Sequence, residues 1–237
     1  NFLASDQMAL RQVTDRFIYL EEGDMVRITP SSLEVYDREG NAVERQKTRI
    51  DETVETVEMG DFDHYMIKEI YEQPRALAAT LNGSADHQVD DARFGDNAAA
   101  IFDQVQNVQI VACGTSYHAG MVARYWLEEL AGVPCEVEVA SEFRYRKRVQ
   151  HEGTLLVMIS QSGETADTLA ALRNASEGEF IGTLVVANVD NSSLVRESDL
   201  VFLTKAGPEI GVASTKAFTT QLVALLMLTI ALGRRRD

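Results

Sequence analysis

The sequence is short of cysteine, of positive charge and of long apolar runs, and each shortage excludes a class of protein. Cys113 and Cys135 are its only cysteines. Two thiols at that separation make neither a disulfide framework nor a metal site, so a reducing, cytoplasmic compartment is expected. Its 237 residues carry 22 Lys+Arg against 37 Asp+Glu, a formal net charge of −15. A field of that sign repels phosphate backbones and anionic lipid, so neither nucleic acid nor a membrane surface is an expected partner. The longest apolar run, Leu222 to Leu232, is well short of the roughly 20 residues that span a bilayer, and no basic leader precedes an apolar segment. The chain opens on Asn1 rather than Met and stops at Asp237 just behind that apolar stretch. An internal piece of a longer protein is expected.

Nucleotide and metal signatures are missing too. No G-x-x-x-x-G-K-[ST] and no G-x-G-x-x-G follows a strand, and His64, His87, His118 and His151 form no H-E-x-x-H or Cys-paired set. Those histidines read as surface or capping residues, and no cofactor or metal is expected.

What is present falls into three stretches: 1–50, 51–95 and 96–237. In the first, the short strand-like runs Phe17–Leu20, Met25–Thr29, Leu33–Tyr36 and Ala42–Gln46 are separated by Gly-containing turns, which predicts an antiparallel meander at the end of a larger domain. In the second, residues 51–63 hold six acidic side chains and no basic one, the composition of a solvated linker. Met66, Ile70, Leu77 and Leu81 then predict a helix that Pro74 kinks or divides and Gly83 ends, with turn-rich chain to Gly95.

From Asp96 the rhythm becomes an alternation. Helices are predicted at 96–107, 117–131, 165–174 and 193–197 and from about Ser214, and strands at 108–113, 136–139, 154–159, 183–188 and 200–204. Apolar strands alternating with helices require a parallel sheet covered on both faces, so the fold class is α/β, a doubly wound parallel sheet of five strands. The charge is uneven across these stretches. Residues 1–100 carry 10 basic and 21 acidic side chains (net −11), and residues 101–237 carry 12 and 16 (net −4).

Two strand-to-helix turns in the last stretch carry chemistry. Val111-Ala-Cys-Gly-Thr-Ser116 runs into Tyr117, and Met158-Ile-Ser-Gln-Ser-Gly-Glu-Thr165 runs into Ala166. Each puts hydroxyls and a glycine where a helix presents unpaired N–H groups, which together can hold a phosphate without lysine. A single Ser or Thr before a helix is ordinarily an N-cap. The second turn, however, offers three hydroxyls and an amide within six residues, more than one cap uses. Gly211-Val-Ala-Ser-Thr-Lys216 opens a third helix. Cys113 reads as a small packing residue rather than a nucleophile, since no base lies near it in sequence. Arg144–Arg148, with Tyr145 interleaved, reads as a solvated or interface face, and Arg234–Arg236 as cations at a helix end.

Four segments, Val111-Ala-Cys-Gly-Thr-Ser-Tyr-His118, Ala140-Ser-Glu-Phe-Arg-Tyr-Arg146, Ser160-Gln-Ser-Gly-Glu-Thr-Ala-Asp-Thr168 and Glu209-Ile-Gly-Val-Ala-Ser-Thr-Lys-Ala-Phe-Thr-Thr-Gln221, resemble the first sugar-isomerase (SIS) domain of the glutamine–fructose-6-phosphate aminotransferase family. Upstream, Phe2–Asp6, Tyr19–Asp24 and His64–Pro74 resemble the end of that family's glutaminase domain and its interdomain linker. The resemblance implies a flavodoxin-like SIS fold at 96–237. It also implies a sugar-phosphate site formed by Cys113, Gly114, Thr115, Ser116, Ser160, Gln161, Ser162 and Thr165. Val212, Ala213, Ser214 and Lys216 would lie toward the sugar. The implied reaction uses ammonia from glutamine to turn fructose 6-phosphate into glucosamine 6-phosphate, in a homodimer, without redox cofactor or metal. The glutaminase cysteine nucleophile would lie before Asn1, and the ring-opening and proton-moving residues after Asp237. No catalytic residue is therefore expected in these 237 residues, which alone should not run the reaction. A sugar-phosphate-sensing SIS module of a regulator and a stand-alone sugar-phosphate isomerase are the alternatives.

Overall fold

The computed structural model describes residues 1–4, 10, 13–49, 59–81, 89–149, 151–175 and 178–236. The chain forms two compact units, Asn1–Glu58 and Met59–Asp237.

The first unit holds β1 (Arg16–Ile18), β2 (Met25–Ile28), β3 (Leu33–Tyr36), β4 (Ala42–Val43) and β5 (Lys47–Arg49). β2, β3 and β4 form the expected antiparallel meander, but β1 pairs with β5 in a separate two-stranded sheet, Phe17 opposite Thr48. The strand expected at 42–46 is only two residues long, and Arg45 just beyond it makes a bidentate pair with Asp24, at 2.8 and 2.9 Å. Alternation in sequence shows that strands exist; it does not say which neighbour each one takes.

The second unit begins with α1 (Tyr65–Leu81), which runs unbroken through Pro74. Proline removes the N–H that would reach the Ile70 carbonyl. The Gln73 side chain donates to that carbonyl instead, at 3.0 Å, so the helix continues. Residues 82–88, including Gly83 and His87, lie outside the described residues. The buried residues of α1 are Glu69, Ala76 and Thr80, whereas Met66, Ile70 and Leu81 of the apolar stripe are exposed within this chain.

A 3-10 turn (Asp91–Phe94) falls in the turn-rich stretch, and α2 (Ala98–Phe102) occupies only the first half of the helix expected at 96–107. Gly95 at φ 126 separates them. Then follow β6 (Asn107–Ala112), α3 (Gly114–Leu130), β7 (Cys135–Val139), a one-turn α4 (Ala140–Phe143) and β8 (Thr154–Ser160). After these come α5 (Ala166–Arg173), β9 (Gly182–Ala187), α6 (Ser193–Glu197), β10 (Leu200–Leu203) and α7 (Lys216–Gly233).

The sheet is all parallel in the order β10-β9-β8-β6-β7. Numbered by appearance that order is 2-1-3-4-5, the flavodoxin-like doubly wound arrangement. Every residue of β8 is buried, as a central strand covered on both faces must be. Its alternate side chains divide between two cores. Leu155, Val157 and Ile159 pack with Ala119, Ala123 and Leu127 of α3 and Leu225 and Leu228 of α7. Leu156 and Met158 pack with Phe143 of α4, Leu172 of α5 and Leu194 of α6. By length and composition α7 could cross a membrane, but 61% of it is buried inside the unit, where it serves as a core helix.

The basic runs are structural. Arg144 pairs with Asp167, Arg146 with Glu138 and Arg148 with Glu179, while the Arg148 guanidinium lies 3.9 Å from the Phe143 ring centroid. Arg235 bridges Asp91 at 2.6 Å and Asp103 at 2.7 Å, and Arg236 donates to the Gly132 carbonyl at 2.9 Å. These last arginines fasten the end of α7 to neighbouring loops, a larger role than complementing the helix dipole.

Candidate functional site

In a doubly wound sheet the connections leave on opposite faces at one point, and the crevice beyond the carboxyl ends of the two strands there is where ligands bind. Here β7 lies on one side of β6, and β8, β9 and β10 lie on the other. The crevice is therefore between β6 and β8. Ala112 pairs with Ile159 at the last rung, so the two hydroxyl-bearing turns start about 4.8 Å apart, one strand spacing.

The first turn is tight. Cys113 is the N-cap of α3 in extended conformation, and its carbonyl accepts the Tyr117 N–H at 3.2 Å. Gly114 takes φ 57, a left-handed conformation that costs a side-chain-bearing residue energy. Helix α3 consequently begins three residues earlier than the apolar pattern suggested, with Gly114, Thr115 and Ser116 in its first turn. The Cys113 side chain makes no capping bond, so the first N–H groups of a 17-residue helix are left for another acceptor. Thr115 is exposed and Ser116 is buried.

The second turn is built on its own hydroxyls. Ser160 Oγ accepts the Gly163 N–H at 3.0 Å and lies 2.8 Å from Thr165 Oγ1. Ser162 Oγ accepts the Glu164 N–H at 3.2 Å. Accepting these bonds leaves the hydroxyl proton of Ser162 without a protein acceptor among the described residues. Thr165 is the N-cap of α5, and its side chain does not cap it. Gly163 has φ 68, and a Cβ there would fall 1.9 Å from Ser192 Oγ, so the turn admits only glycine. The Glu164 carboxylate accepts the Ser193 N–H at 2.7 Å, and the Gln161 carbonyl accepts the Asn188 N–H at 3.1 Å. The ends of β8 and β9 are thereby tied together.

The third segment follows β10. Asn188 anchors its start: the carboxamide oxygen accepts from Thr204 Oγ1 at 3.2 Å and from the Ala206 N–H at 2.6 Å, while its nitrogen donates to the Gly207 carbonyl at 2.8 Å. Glu209 caps α7, accepting the N–H groups of Thr215 and Ala217 at 2.9 and 3.1 Å and the Ser214 hydroxyl at 3.0 Å. Val212 and Ala213 are exposed between these fastenings. Lys216 is buried and donates to Glu72 of α1 at 2.6 Å.

Sequence reasoning missed Glu69, Glu72, Asn188 and Glu209. A faint signal existed for the first two: they stand three apart in α1 and so share a helix face. Burial pushes the Glu72 carboxyl up, but Lys216, through its hydrogen bond and charge, and Lys68 beyond it, prevail and hold it below its ordinary value. His118 and His151 are exposed, as is His64, and no three His, Cys, Asp or Glu side chains converge as metal ligands among the described residues.

The family model described as "SIS domain" matches residues 101–231, more than half of the chain. The chain belongs to the SIS domain family. This SIS chain is 63% identical over 238 aligned residues to the glutamine–fructose-6-phosphate aminotransferase (isomerizing) of Pseudomonas putida, covering 100% of the chain and 39% of that relative. It is 58% identical to the enzyme of the same name from Haemophilus influenzae, covering 99% of the chain and 38% of the relative. The chain thus spans about two fifths of the length of the curated relatives it matches. Among solved structures, the C-terminal domain of glucosamine-fructose-6-phosphate aminotransferase from Francisella tularensis superposes with a TM-score of 0.74 at 54% identity, over 76% of this chain and 51% of that one.

Proposed function

We propose that this SIS chain is the sugar-phosphate-holding part of a glutamine–fructose-6-phosphate aminotransferase. On this reading the phosphate of fructose 6-phosphate or glucosamine 6-phosphate sits in the crevice between β6 and β8. The N–H groups of Gly114, Thr115 and Ser116 face it from one side, and the hydroxyls of Ser160, Ser162 and Thr165 with the Gln161 amide from the other. Cys113 lines the pocket, and Val212, Ala213 and Ser214 approach the sugar. Lys216 is assigned instead to the Glu72 ion pair that holds this segment. Residues 1–50 are read as the end of a glutaminase domain and 51–95 as the connection to the SIS domain at 96–237. The glutamine-cleaving nucleophile and the groups that open the ring and move its proton are assigned to the remainder of a longer polypeptide.

The observation that carries this reading is the Ser160–Thr165 turn, whose hydroxyls already satisfy its own backbone and still present a donor at the switch point of the sheet. The identity of roughly three residues in five to the named aminotransferases, over the whole chain, supports it. Exposed Val122, Tyr125 and Leu130 on α3 support assembly with a second copy.

Titration calorimetry of the full-length protein with fructose 6-phosphate tests the site. A hydrogen bond to a charged group contributes about 1.5–3 kcal/mol, so Ser162→Ala should weaken binding at least tenfold. Unchanged affinity in the variant would remove the assignment.

A further inference from the structure

Helix α1 holds the Gly211–Thr215 segment from both ends. At the near end the Glu69 carboxylate, only 2% exposed, accepts the Ile210 N–H at 2.6 Å and the Gly211 N–H at 3.1 and 3.2 Å. At the far end Glu72, one helical turn on, takes the ammonium of Lys216 at 2.6 Å. A Cβ on Gly211 would lie 2.6 Å from Glu69 Oε2. The glycine is what lets the carboxylate reach the backbone. Between the two fastenings Val212 stands fully exposed. Its backbone therefore keeps its place through α1, some 140 residues away in sequence, together with the Glu209 bonds to Ser214 and Thr215, and not through packing of its own side chain.

A buried carboxylate is a costly choice for a mere helix contact, because it must be desolvated and then repaid by hydrogen bonds. Glu69 directs all three of its described bonds at two adjacent peptide N–H groups, which fixes the orientation of those peptides. We propose that Glu69 is a positioning residue for the sugar end of the site: it sets the conformation in which Gly211–Ser214 meets the sugar, while the phosphate turns are independent of it. This rests on the sugar-phosphate reading above.

The experiment uses the full-length enzyme and measures KM for fructose 6-phosphate, kcat, and the inhibition constant of inorganic phosphate, which probes the phosphate turns alone. Glu69→Gln replaces one acceptor oxygen by a donor facing Gly211 N–H, and Gly211→Ala forces the same pair apart. Each should raise KM about tenfold, the scale of one or two lost charge-assisted bonds, with the phosphate constant within twofold of wild type. The double variant should be no worse than the poorer single, since both break one contact. Glu69→Asp, which keeps the charge, should recover part of the loss. Partial unfolding cannot imitate this pattern, because an inactive fraction lowers apparent kcat and leaves KM unchanged. An unmoved KM in Glu69→Gln, or a phosphate constant that rises with KM, overturns the proposal. Ser162→Ala run in parallel separates the two readings: if it leaves both constants unmoved, the sugar-phosphate reading itself has failed.

Discussion

Gly163 shows how a single residue sets the geometry of the second turn. Its φ of 68 and the 1.9 Å approach of Ser192 Oγ to a hypothetical Cβ make alanine there both strained and overpacked. Gly163→Ala should cost about 1–3 kcal/mol of stability and disturb the Ser160 and Ser162 hydroxyls. Thermal denaturation together with a sugar-phosphate titration checks both effects. The two cysteines offer a second contrast. Burial, with the negative charge of Glu128 adding to it, pushes the Cys135 thiol up to about 12, whereas Cys113 is only partly covered at the head of α3. A thiolate-directed reagent at pH 8 should therefore modify Cys113 in the folded protein and Cys135 only after denaturation. Mass spectrometry of the labelled peptides decides it; equal labelling would contradict the burial.

At the scale of elements, the ion pairs fasten ends. Arg235, reaching both Asp91 and Asp103, fastens the chain just beyond α7 to the 3-10 turn before α2 and to the C-cap of α2. Arg235→Ala should lower Tm by a few degrees, in keeping with loss of a partly buried, two-partner bridge of about 1 kcal/mol or somewhat more. The β segment responds to acid in a defined direction. The Arg45 hydrogen bonds, followed by the Glu21 N–H, lower Asp24 from 3.8 to about 2. A depressed carboxylate stabilises the fold fully above its unfolded pKa and ceases to do so as pH falls through the folded one. The contribution of Asp24 to the first unit should thus be lost between about pH 4 and pH 2. In Asp24→Asn that window should flatten, as backbone amide signals of β2 and β3 followed by NMR would show.

For the whole molecule, the division of the core matters most. Among the described residues the first unit buries only Phe17 and Val35 as apolar side chains, while the second buries the two clusters on either face of its sheet. Small sheets with so little apolar burial are marginal. Expressed separately, residues 59–237 should fold cooperatively and keep their α/β circular dichroism, and residues 1–58 should not give a dispersed amide spectrum. A cooperative transition in the short piece would refute this.

The parallel sheet was legible because a central strand such as β8 must be apolar on both faces, a requirement written into Thr154–Ser160 itself. The hydroxyl turns were legible for a like reason: Gly114, followed by Thr115, and Gly163, preceded by Ser162, are local solutions to a local backbone problem. Other features depend on partners distant in sequence. The pairing of β1 with β5 could not be read from periodicity, because strands some 30 residues apart take each other rather than their chain neighbours. The same holds for Lys216, whose charge looks available at the head of α7 and is taken by Glu72. Which segments become strands and helices, and where the donors cluster, follows from side-chain period and backbone chemistry within a few residues and can be read off the chain. That two carboxylates of α1 hold the segment beyond Ile210 emerges only once the chain is folded, because a hydrogen bond spanning some 140 residues leaves no mark on either segment's own pattern.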